Sequence, residues 1–199
     1  MKTPIKKERI FRALSIKEGI SISRLAKDTS LAKSYVYKVI KELEREDAVW
    51  ITEKIYVNHD KFIRKWGQLK KTIFQKISPL IIDILIPERV RKIIKDYAIS
   101  GPFAELLIQG ESPGRPLIIY IDEKDFIKVK DKLLQLGRTG IGSTWIYPYD
   151  PDILKTSWML KGWKVVSIPQ LAADIIALGT YADLGYRLYK RWLSASKRI

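Results

Sequence analysis

The hydrophobic residues of this chain change their spacing near residue 48, and this change limits the folds open to the first third of the sequence. From residue 5 to residue 46 they recur every three or four positions, which is typical of amphipathic helices. From Val49 to Val57 they alternate along the chain, which favours two short strands. The pattern predicts three helices, over residues 5–17, from Ser21 to the Thr29-Ser30 turn, and over residues 32–46. A β-hairpin that turns at Glu53-Lys54 follows them.

One stretch of this segment, SRLAKDTSLAKSYVYKVIKELEREDAVW (residues 23–50), resembles the winged-helix regulators of the MarR type and their relatives. The residues in register with that family's pattern are Leu25, Ala26, Thr29, Leu31, Ser34, Val36, Ile40, Leu43 and Val49. Ser30 and Asp47 stand where the family has glycine, and both residue types can adopt the turn conformation that those glycines supply. The resemblance implies a winged helix-turn-helix DNA-binding domain over residues 1–58.

In such a domain the third helix lies in the major groove and reads base edges with its outward side chains. The candidate DNA-binding residues on this helix are Lys33, Ser34, Tyr35, Tyr37, Lys38 and Lys41. Ser21, Ser23 and Arg24 are candidates for phosphate contacts, and Lys54 for the minor groove or the backbone. Two alternatives stay open. The tyrosines pack on the first helix or the hairpin while the lysines face only solvent, or the domain binds another protein.

Positive charge is concentrated in the same part of the chain. The whole sequence has a net charge of +15. Residues 1–76 hold 19 Lys and Arg against 9 Asp and Glu, whereas residues 77–199 hold 18 against 13. This asymmetry indicates a polyanionic partner for the first segment. A requirement for solubility, or the Lys-rich composition of a heat-adapted protein, would also explain an excess of positive charge.

Several kinds of site are excluded by residue types that the chain lacks. It has no cysteine and a single histidine, His59, so disulfides, thiolate metal sites and multi-histidine metal sites are excluded. We expect no cofactor. No run of about 18 apolar residues exists and the first residues form no apolar signal core, so we expect no membrane span and a cytoplasmic location.

After the hairpin, residues 59–78 read as a basic amphipathic connector helix. Its apolar face is formed by Phe62, Ile63, Trp66, Leu69, Ile73 and Phe74, and Gly67 interrupts it. We expect this helix to pack on the first domain or on a second copy of the chain. Residues 79–199 then alternate short β-like runs with helices, which predicts an α/β domain and an α+β fold class for the whole protein.

The segment from Tyr97 to Asp125 resembles the start of the minimal nucleotidyltransferase fold, in which a strand, a Gly-Ser turn, a helix and an Asp-x-Asp strand follow one another. Gly101 matches the turn, but Pro102 replaces its serine and no carboxylate stands at the metal positions of the strand. Asp122 and Asp125 come at or after the strand's end. Without paired carboxylates two metal ions cannot be held, so we expect a degenerate, non-catalytic domain.

The closing segment, residues 164–193, resembles that of AbiE-type antitoxins from type IV toxin–antitoxin systems. The matching residues are Val166, Ser167, Gln170, Asp174, Ile175 and Ile176, whereas Gly179-Thr180-Tyr181 replaces the family's Arg-Gly turn. The resemblance implies an autorepressor with a nucleotidyltransferase toxin as partner; a free-standing regulator would have the same features. Gln170 and Asp174 lie one helical turn apart, and we interpret them as an internal hydrogen-bonding pair rather than a ligand site.

These observations predict a transcriptional regulator that binds double-stranded DNA sequence-specifically and acts as a homodimer. Dimerisation is expected because operators are commonly symmetric. Two alternatives remain: a nucleotidyltransferase-type enzyme that uses Asp122 and Asp125, and a nucleic-acid-binding protein without sequence preference.

Overall fold

The computed structural model describes residues 3–84 and 87–196 and begins with three helices and a hairpin, in the predicted order. The helices are α1 (Thr3–Ile16), α2 (Ile22–Thr29) and α3 (Lys33–Arg45), and the strands are β1 (Val49–Ile51) and β2 (Ile55–Val57). The strands pair antiparallel with Ile51 opposite Ile55. The hairpin loop is therefore Thr52 to Lys54, one residue longer than the predicted Glu53-Lys54 turn.

Local side-chain chemistry sets the ends of α2 and the link from α3 to the hairpin. Ser21 caps α2, because its hydroxyl oxygen accepts a hydrogen bond from the backbone N–H of Arg24 at 3.3 Å. Ser30 ends α2 with φ 54° and ψ 40°, and Asp47 follows α3 with φ 52°. Both residues thus have the positive φ angle expected at the two positions where the MarR-type pattern has glycine.

The connector helix, α4 (His59–Lys76), is continuous through Gly67. Gly67 therefore does not interrupt the helix. It allows a close approach, because a Cβ atom there would lie 2.4 Å from Cγ2 of Ile176 on α8 (Ile168–Leu178). Along the predicted apolar face Phe62, Ile63, Trp66 and Ile73 are buried, while Leu69 and Phe74 are partly buried against the core. This face packs within its own chain, against α1 and α8.

A seven-stranded mixed sheet forms the centre of the second half within the described residues. Its strands are β3 (Leu80–Asp83), β4 (Ala98–Ser100), β5 (Leu117–Asp122), β6 (Arg138–Thr139), β7 (Thr144–Tyr149), β8 (Trp158–Leu160) and β9 (Trp163–Val165), in the order β6-β3-β7-β5-β4-β9-β8. The pairs β5–β7 and β4–β9 are parallel and the other pairs are antiparallel. Residues 117–121 are all buried, as expected for a strand that is covered on both faces.

The remaining helices pack on this sheet or on one another. They are α5 (Glu88–Ile93), α6 (Gly101–Ile108), α7 (Glu123–Leu134), α8 and α9 (Ala182–Ser196), with a 3-10 helix over Pro151–Thr156. The α+β fold class is confirmed. The division into residues 1–58, 59–78 and 79–199 stays a prediction, and these three parts pack directly on one another. No helix among the described residues is long and apolar enough to cross a membrane.

A buried polar cluster joins α1, α4 and α8. Glu8 of α1 lies at its centre: one carboxylate oxygen is 3.1 Å from the Lys70 ammonium and accepts hydrogen bonds from Trp66 Nε1 (3.3 Å) and Gln170 Nε2 (3.0 Å). The other oxygen accepts from Arg12 Nη1 at 3.1 Å and from the Tyr149 hydroxyl. Burial raises the pKa of Tyr149 well above its usual value, so its hydroxyl stays protonated and donates.

Asp174 of α8 extends this cluster to the sheet. One carboxylate oxygen accepts hydrogen bonds from the Ser100 hydroxyl (2.6 Å) and the Tyr120 hydroxyl (2.9 Å), and the other accepts from Gln170 Nε2 at 2.9 Å. Ser100 ends β4 and Tyr120 lies on β5, so the interpretation of Gln170 and Asp174 as internal hydrogen-bonding residues is confirmed.

A second ionic link holds α1 to the end of β7. Arg9 donates two hydrogen bonds to Asp150, from Nε at 2.5 Å and from Nη2 at 2.7 Å, and a third to the backbone carbonyl of Thr29. The Arg9 side chain therefore connects α1, the end of α2 and the sheet. This arrangement fixes the orientation of the three-helix segment relative to the second half of the chain.

Candidate nucleic-acid interface

The third helix presents one apolar face and one polar face, as its sequence predicts. Val36, Val39, Ile40 and Leu43 are buried, with at most 2% of their surface exposed. On the opposite side Ser34, Lys38, Lys41 and Arg45 form a polar stripe along the helix axis, at spacings of four, three and four. We call these four residues the α3 stripe. Ser34, Lys38 and Arg45 are exposed and Lys41 is partly exposed.

Arg45 is a member of the α3 stripe that the predicted site does not include. It is the last residue of α3, and its side chain is exposed. The spacing from Ser34 through Lys38 and Lys41 would have identified it. The predicted site ends in the third turn of the helix, because recognition helices most often contact bases near their N-terminus.

The two candidate tyrosines lie on opposite flanks of α3. Tyr37 has half of its surface exposed, and the Lys41 ammonium is 5.9 Å from the centre of its ring. Tyr35 is partly buried and packs against the core. Burial, together with the neighbouring Glu42 carboxylate, raises the pKa of Tyr35. The packing alternative therefore describes Tyr35 better than Tyr37.

The basic candidates differ in how far their charge is already neutralised. Lys41 pairs with Glu44 at 2.7 Å and Arg24 pairs with Asp28 at 2.8 Å. Within the described parts of the chain, Lys33, Lys38 and Lys54 take part in no ion pair, and the same holds for Arg45. These four exposed cations are thus available to a polyanion without first breaking an internal contact.

The remaining candidates lie at the start of α2. Ser21 and Ser23 are exposed, and the Ser21 hydroxyl oxygen already accepts the capping hydrogen bond. Ser23 lies beside Lys33 and Ser34 at the edge of a groove between α3 and the hairpin. Ser23, Arg24, Lys33, Ser34 and Lys54 are all exposed, so nothing in residues 3–84 and 87–196 covers these side chains.

The residues singled out in the second half have structural partners. Asp122 ends β5 and caps α7, accepting a hydrogen bond from the backbone N–H of Lys124 at 2.8 Å. Asp125 pairs with Lys128 at 2.9 Å. Leu117 and Ile119 occupy the earlier positions of β5 and are buried. Across residues 3–84 and 87–196, no group of three or more His, Cys, Asp or Glu has a geometry that would hold a metal ion.

A cavity with a volume of about 880 Å³ lies beside α1, at the ends of the parallel strands β5 and β7. Asp122, Glu123 and Asp150 are among its lining residues, with Arg9 and Lys124. Both oxygens of Asp150 accept hydrogen bonds from Arg9, and Asp122 caps α7. Two of the three carboxylates are thus already bound to donors of the protein.

Comparison with known proteins adds no relative to this description. No protein-family model matches the chain, and neither the search of curated proteins nor the search of solved structures returned a significant match.

Proposed function

We propose that this protein binds double-stranded DNA sequence-specifically through α3, as a winged-helix transcriptional regulator. The observation that carries the proposal is the exposed α3 stripe, set on a helix whose opposite face is fixed in the core. This helix of 13 residues is about 20 Å long, and an α-helix with its side chains is about 10–12 Å across, which fits a major groove about 12 Å wide. Ser34 can donate and accept hydrogen bonds, and Lys38 and Arg45 can reach guanine or phosphate.

The surroundings of α3 support the same proposal. Arg24 and Ser23, in the first turn of α2, are suited to a backbone phosphate, and Lys54 at the hairpin tip is suited to the neighbouring strand or the minor groove. We assign base reading to the α3 stripe and backbone positioning to these flanking residues. Tyr35 has no direct role in this assignment, because it packs against the core.

A salt titration of variants with matched charge tests the proposal. The protein first selects duplexes from a random pool, and fluorescence anisotropy then gives the affinity at several salt concentrations. The triple variant Lys33→Ala/Lys38→Ala/Lys41→Ala should lose affinity for every sequence and show a smaller salt slope. Lys92→Ala/Lys95→Ala/Lys130→Ala removes the same charge from exposed positions of the second half and should bind as the wild type does. Equal losses in both variants would contradict a specific role for α3.

The same selection distinguishes a regulator from a nucleic-acid-binding protein without sequence preference. A regulator enriches a motif, whereas the alternative enriches none. Within our proposal the protein is a homodimer, and light scattering of the protein–DNA complex tests this. The apolar face of α4 packs within the chain, so the contact between two copies would use another surface.

We further propose that the regulator is antitoxin-like, an autorepressor whose partner is a nucleotidyltransferase toxin. The order β4–α6–β5, with Gly101 at φ 72° in the turn, supports a degenerate transferase-like half, and the strand positions that correspond to that fold's metal ligands hold apolar residues. An adjacent reading frame for a nucleotidyltransferase, and co-purification of its product with this chain, would test the partner.

One observation favours the enzyme alternative enough to merit a test: Asp122 lines the 880 Å³ cavity. The protein is incubated with Mg²⁺ and labelled nucleoside triphosphates. Asp122→Asn keeps the helix-capping oxygen and removes the charge, so it separates catalysis from folding. We expect no transfer by either protein. Transfer by the wild type that Asp122→Asn abolishes would favour the enzyme.

A further inference from the structure

The groove between α3 and the hairpin has an apolar floor beside the charged residues described above. Its volume is about 590 Å³. Ile22, Ile51 and the ring of Tyr37 supply its apolar surface, with the buried Ile55 behind them, while Lys33 and Ser34 stand at its edge. Apolar side chains do not contribute to phosphate binding, because phosphates are bound by cations and N–H groups.

The charge at the groove also favours a base edge over the DNA backbone. Glu53, in the hairpin loop, lines the groove and forms no ion pair within the described residues. Its carboxylate repels a phosphate placed in the groove. Lys33 lines the same groove and balances this charge, so the groove has no net positive charge with which to hold a phosphate, while Lys38 and Lys54 outside it attract the duplex as a whole.

Base edges offer few apolar groups to such a groove. In the major groove of a duplex the exposed apolar group is the 5-methyl group of thymine. We propose that this groove receives thymine methyl groups, so that Tyr37 and Ile51 select thymine at the base pairs they face. The inference rests on the proposed function, since it requires that α3 enters the major groove; it adds Ile51 as a specificity-determining residue and assigns thymine to Tyr37.

Tyr37 is suited to this role by its position. Half of its surface is exposed, and the Lys41 ammonium lies 5.9 Å from its ring centre. Lys41 is in turn held by Glu44. The ring is therefore flanked by a positioned cation, and its face toward the hairpin remains open.

Uracil substitution tests the inference, because uracil pairs as thymine does and lacks only the methyl group. The duplex selected by the wild-type protein is synthesised with deoxyuridine in place of each thymine in turn. At one or two positions we expect an affinity loss of about fourfold, the effect of exposing one methyl-sized group to water. Tyr37→Ala should bind the thymine and uracil duplexes equally at those positions, whereas Tyr37→Phe keeps the ring and should retain the difference.

The controls separate this inference from the proposed function. Trp158→Ala removes an exposed aromatic from the sheet edge and should keep the full uracil effect. A selected motif with no uracil effect at any thymine overturns the inference and leaves the proposed function standing. A uracil effect that persists in both Tyr37→Ala and Ile51→Ala also overturns it. A protein that binds no duplex refutes the proposed function and the inference together. Circular dichroism of each variant verifies folding.

Discussion

Lys70 of α4 and Asp174 of α8 lie 3.3 Å apart, Nζ to Oδ1, and both side chains are fully buried. Glu8 of α1 lies 3.1 Å from the same ammonium group. One buried cation therefore serves two carboxylates from two other helices. The aromatic rings of Tyr120 and Tyr149 surround it, with centres 4.5 and 4.3 Å from Nζ. The three-helix segment and the sheet are joined by this arrangement.

Replacing Lys70 tests how much the folded state depends on this cation. Lys70→Met keeps the length of the side chain and leaves Glu8 and Asp174 as neighbouring buried carboxylates. Loss of one partner from a buried ion pair costs about 3–5 kcal/mol, and we expect a decrease of that size in the free energy of unfolding by urea. Lys71→Met, at an exposed position of the same helix, should change stability by less than about 0.5 kcal/mol. If both variants lost similar amounts of unfolding free energy, the stabilising role of the buried Lys70 cation would be contradicted.

The pKa of Glu8 predicts how stability depends on pH. Burial tends to raise this pKa, but the charges of Lys70 and Arg12 and the hydrogen bonds from Tyr149 and Gln170 outweigh burial and lower it to about 2. A carboxyl with a lower pKa in the folded state stabilises the fold above its unfolded pKa of 4.5, and that contribution is lost as the pH falls toward 2. Between pH 4.5 and pH 2 the free energy of unfolding of the wild type should therefore fall by about 3 kcal/mol more than that of Glu8→Gln.

Asp174 should change the pH dependence of stability in the opposite direction to Glu8, which makes it a control. Burial raises its pKa above the usual value of 3.8, despite the nearby Lys70. A carboxyl with a raised folded pKa adds stability as the pH falls, because the folded state binds the proton first. Asp174→Asn should therefore lose stability in acid more steeply than the wild type. Urea unfolding at a series of pH values measures both effects, and parallel curves for all three proteins would contradict them.

Glycine at the two left-handed positions should stabilise the protein. Ser30 and Asp47 have positive φ angles, and a side chain at such a position costs about 1 kcal/mol relative to glycine. Ser30→Gly should raise the melting temperature by an amount that corresponds to about 1 kcal/mol of stability. Asp47→Gly should raise it by less, because it also removes the exposed ion pair between Asp47 and Lys61 at 2.9 Å. Asp28→Gly, inside α2, should instead lower stability by about 0.5 kcal/mol, because glycine is the poorer helix former and the exposed ion pair with Arg24 is lost. A decrease for Ser30→Gly would show that its side chain has a structural role beyond the turn.

The sequence predicted these turns and the order of the first five elements because local patterns control them. Ser30 and Asp47 occupy positions where the resemblance required a left-handed turn, and the period of the apolar residues fixed the inward face of α3. The outward face follows from the same period, which is why Ser34, Lys38 and Lys41 were identified correctly as surface residues of that helix.

Contacts between distant parts of the chain were not predictable in the same way. Lys70 reads as one more charge on a basic helix, and its burial depends on Glu8 and Asp174, which are far from it in sequence. Tyr35 and Tyr37 have the same residue type and opposite surroundings, since only Tyr35 packs against the core. The role of Gly67 likewise depends on Ile176.

Alanine at Gly67 should destabilise the protein, although alanine normally favours a helix by about 1 kcal/mol over glycine. The added Cβ would lie 2.4 Å from Cγ2 of Ile176, so α4 and α8 would have to separate. We expect a loss of about 1–3 kcal/mol on Gly67→Ala, as for other overpacked cores. In an Ile176→Ala background, where this methyl group is absent, Gly67→Ala should cost less stability than it does in the wild type. Gln68→Ala at the exposed neighbouring position is the control, and a stabilising Gly67→Ala would contradict the close packing.

Arg45 should contribute to DNA binding even though it lies at the end of α3. It continues the α3 stripe and has no ion-pair partner among the described residues, so its charge is available to a phosphate. Arg45→Ala should weaken binding to all duplexes by a similar factor and reduce the salt slope by about 1, as expected for one lost phosphate contact. Arg89→Ala removes an exposed arginine from α5 and should leave both quantities unchanged. If Arg45→Ala instead alters the selected motif at one base pair while the salt slope stays constant, Arg45 reads a base edge rather than the backbone.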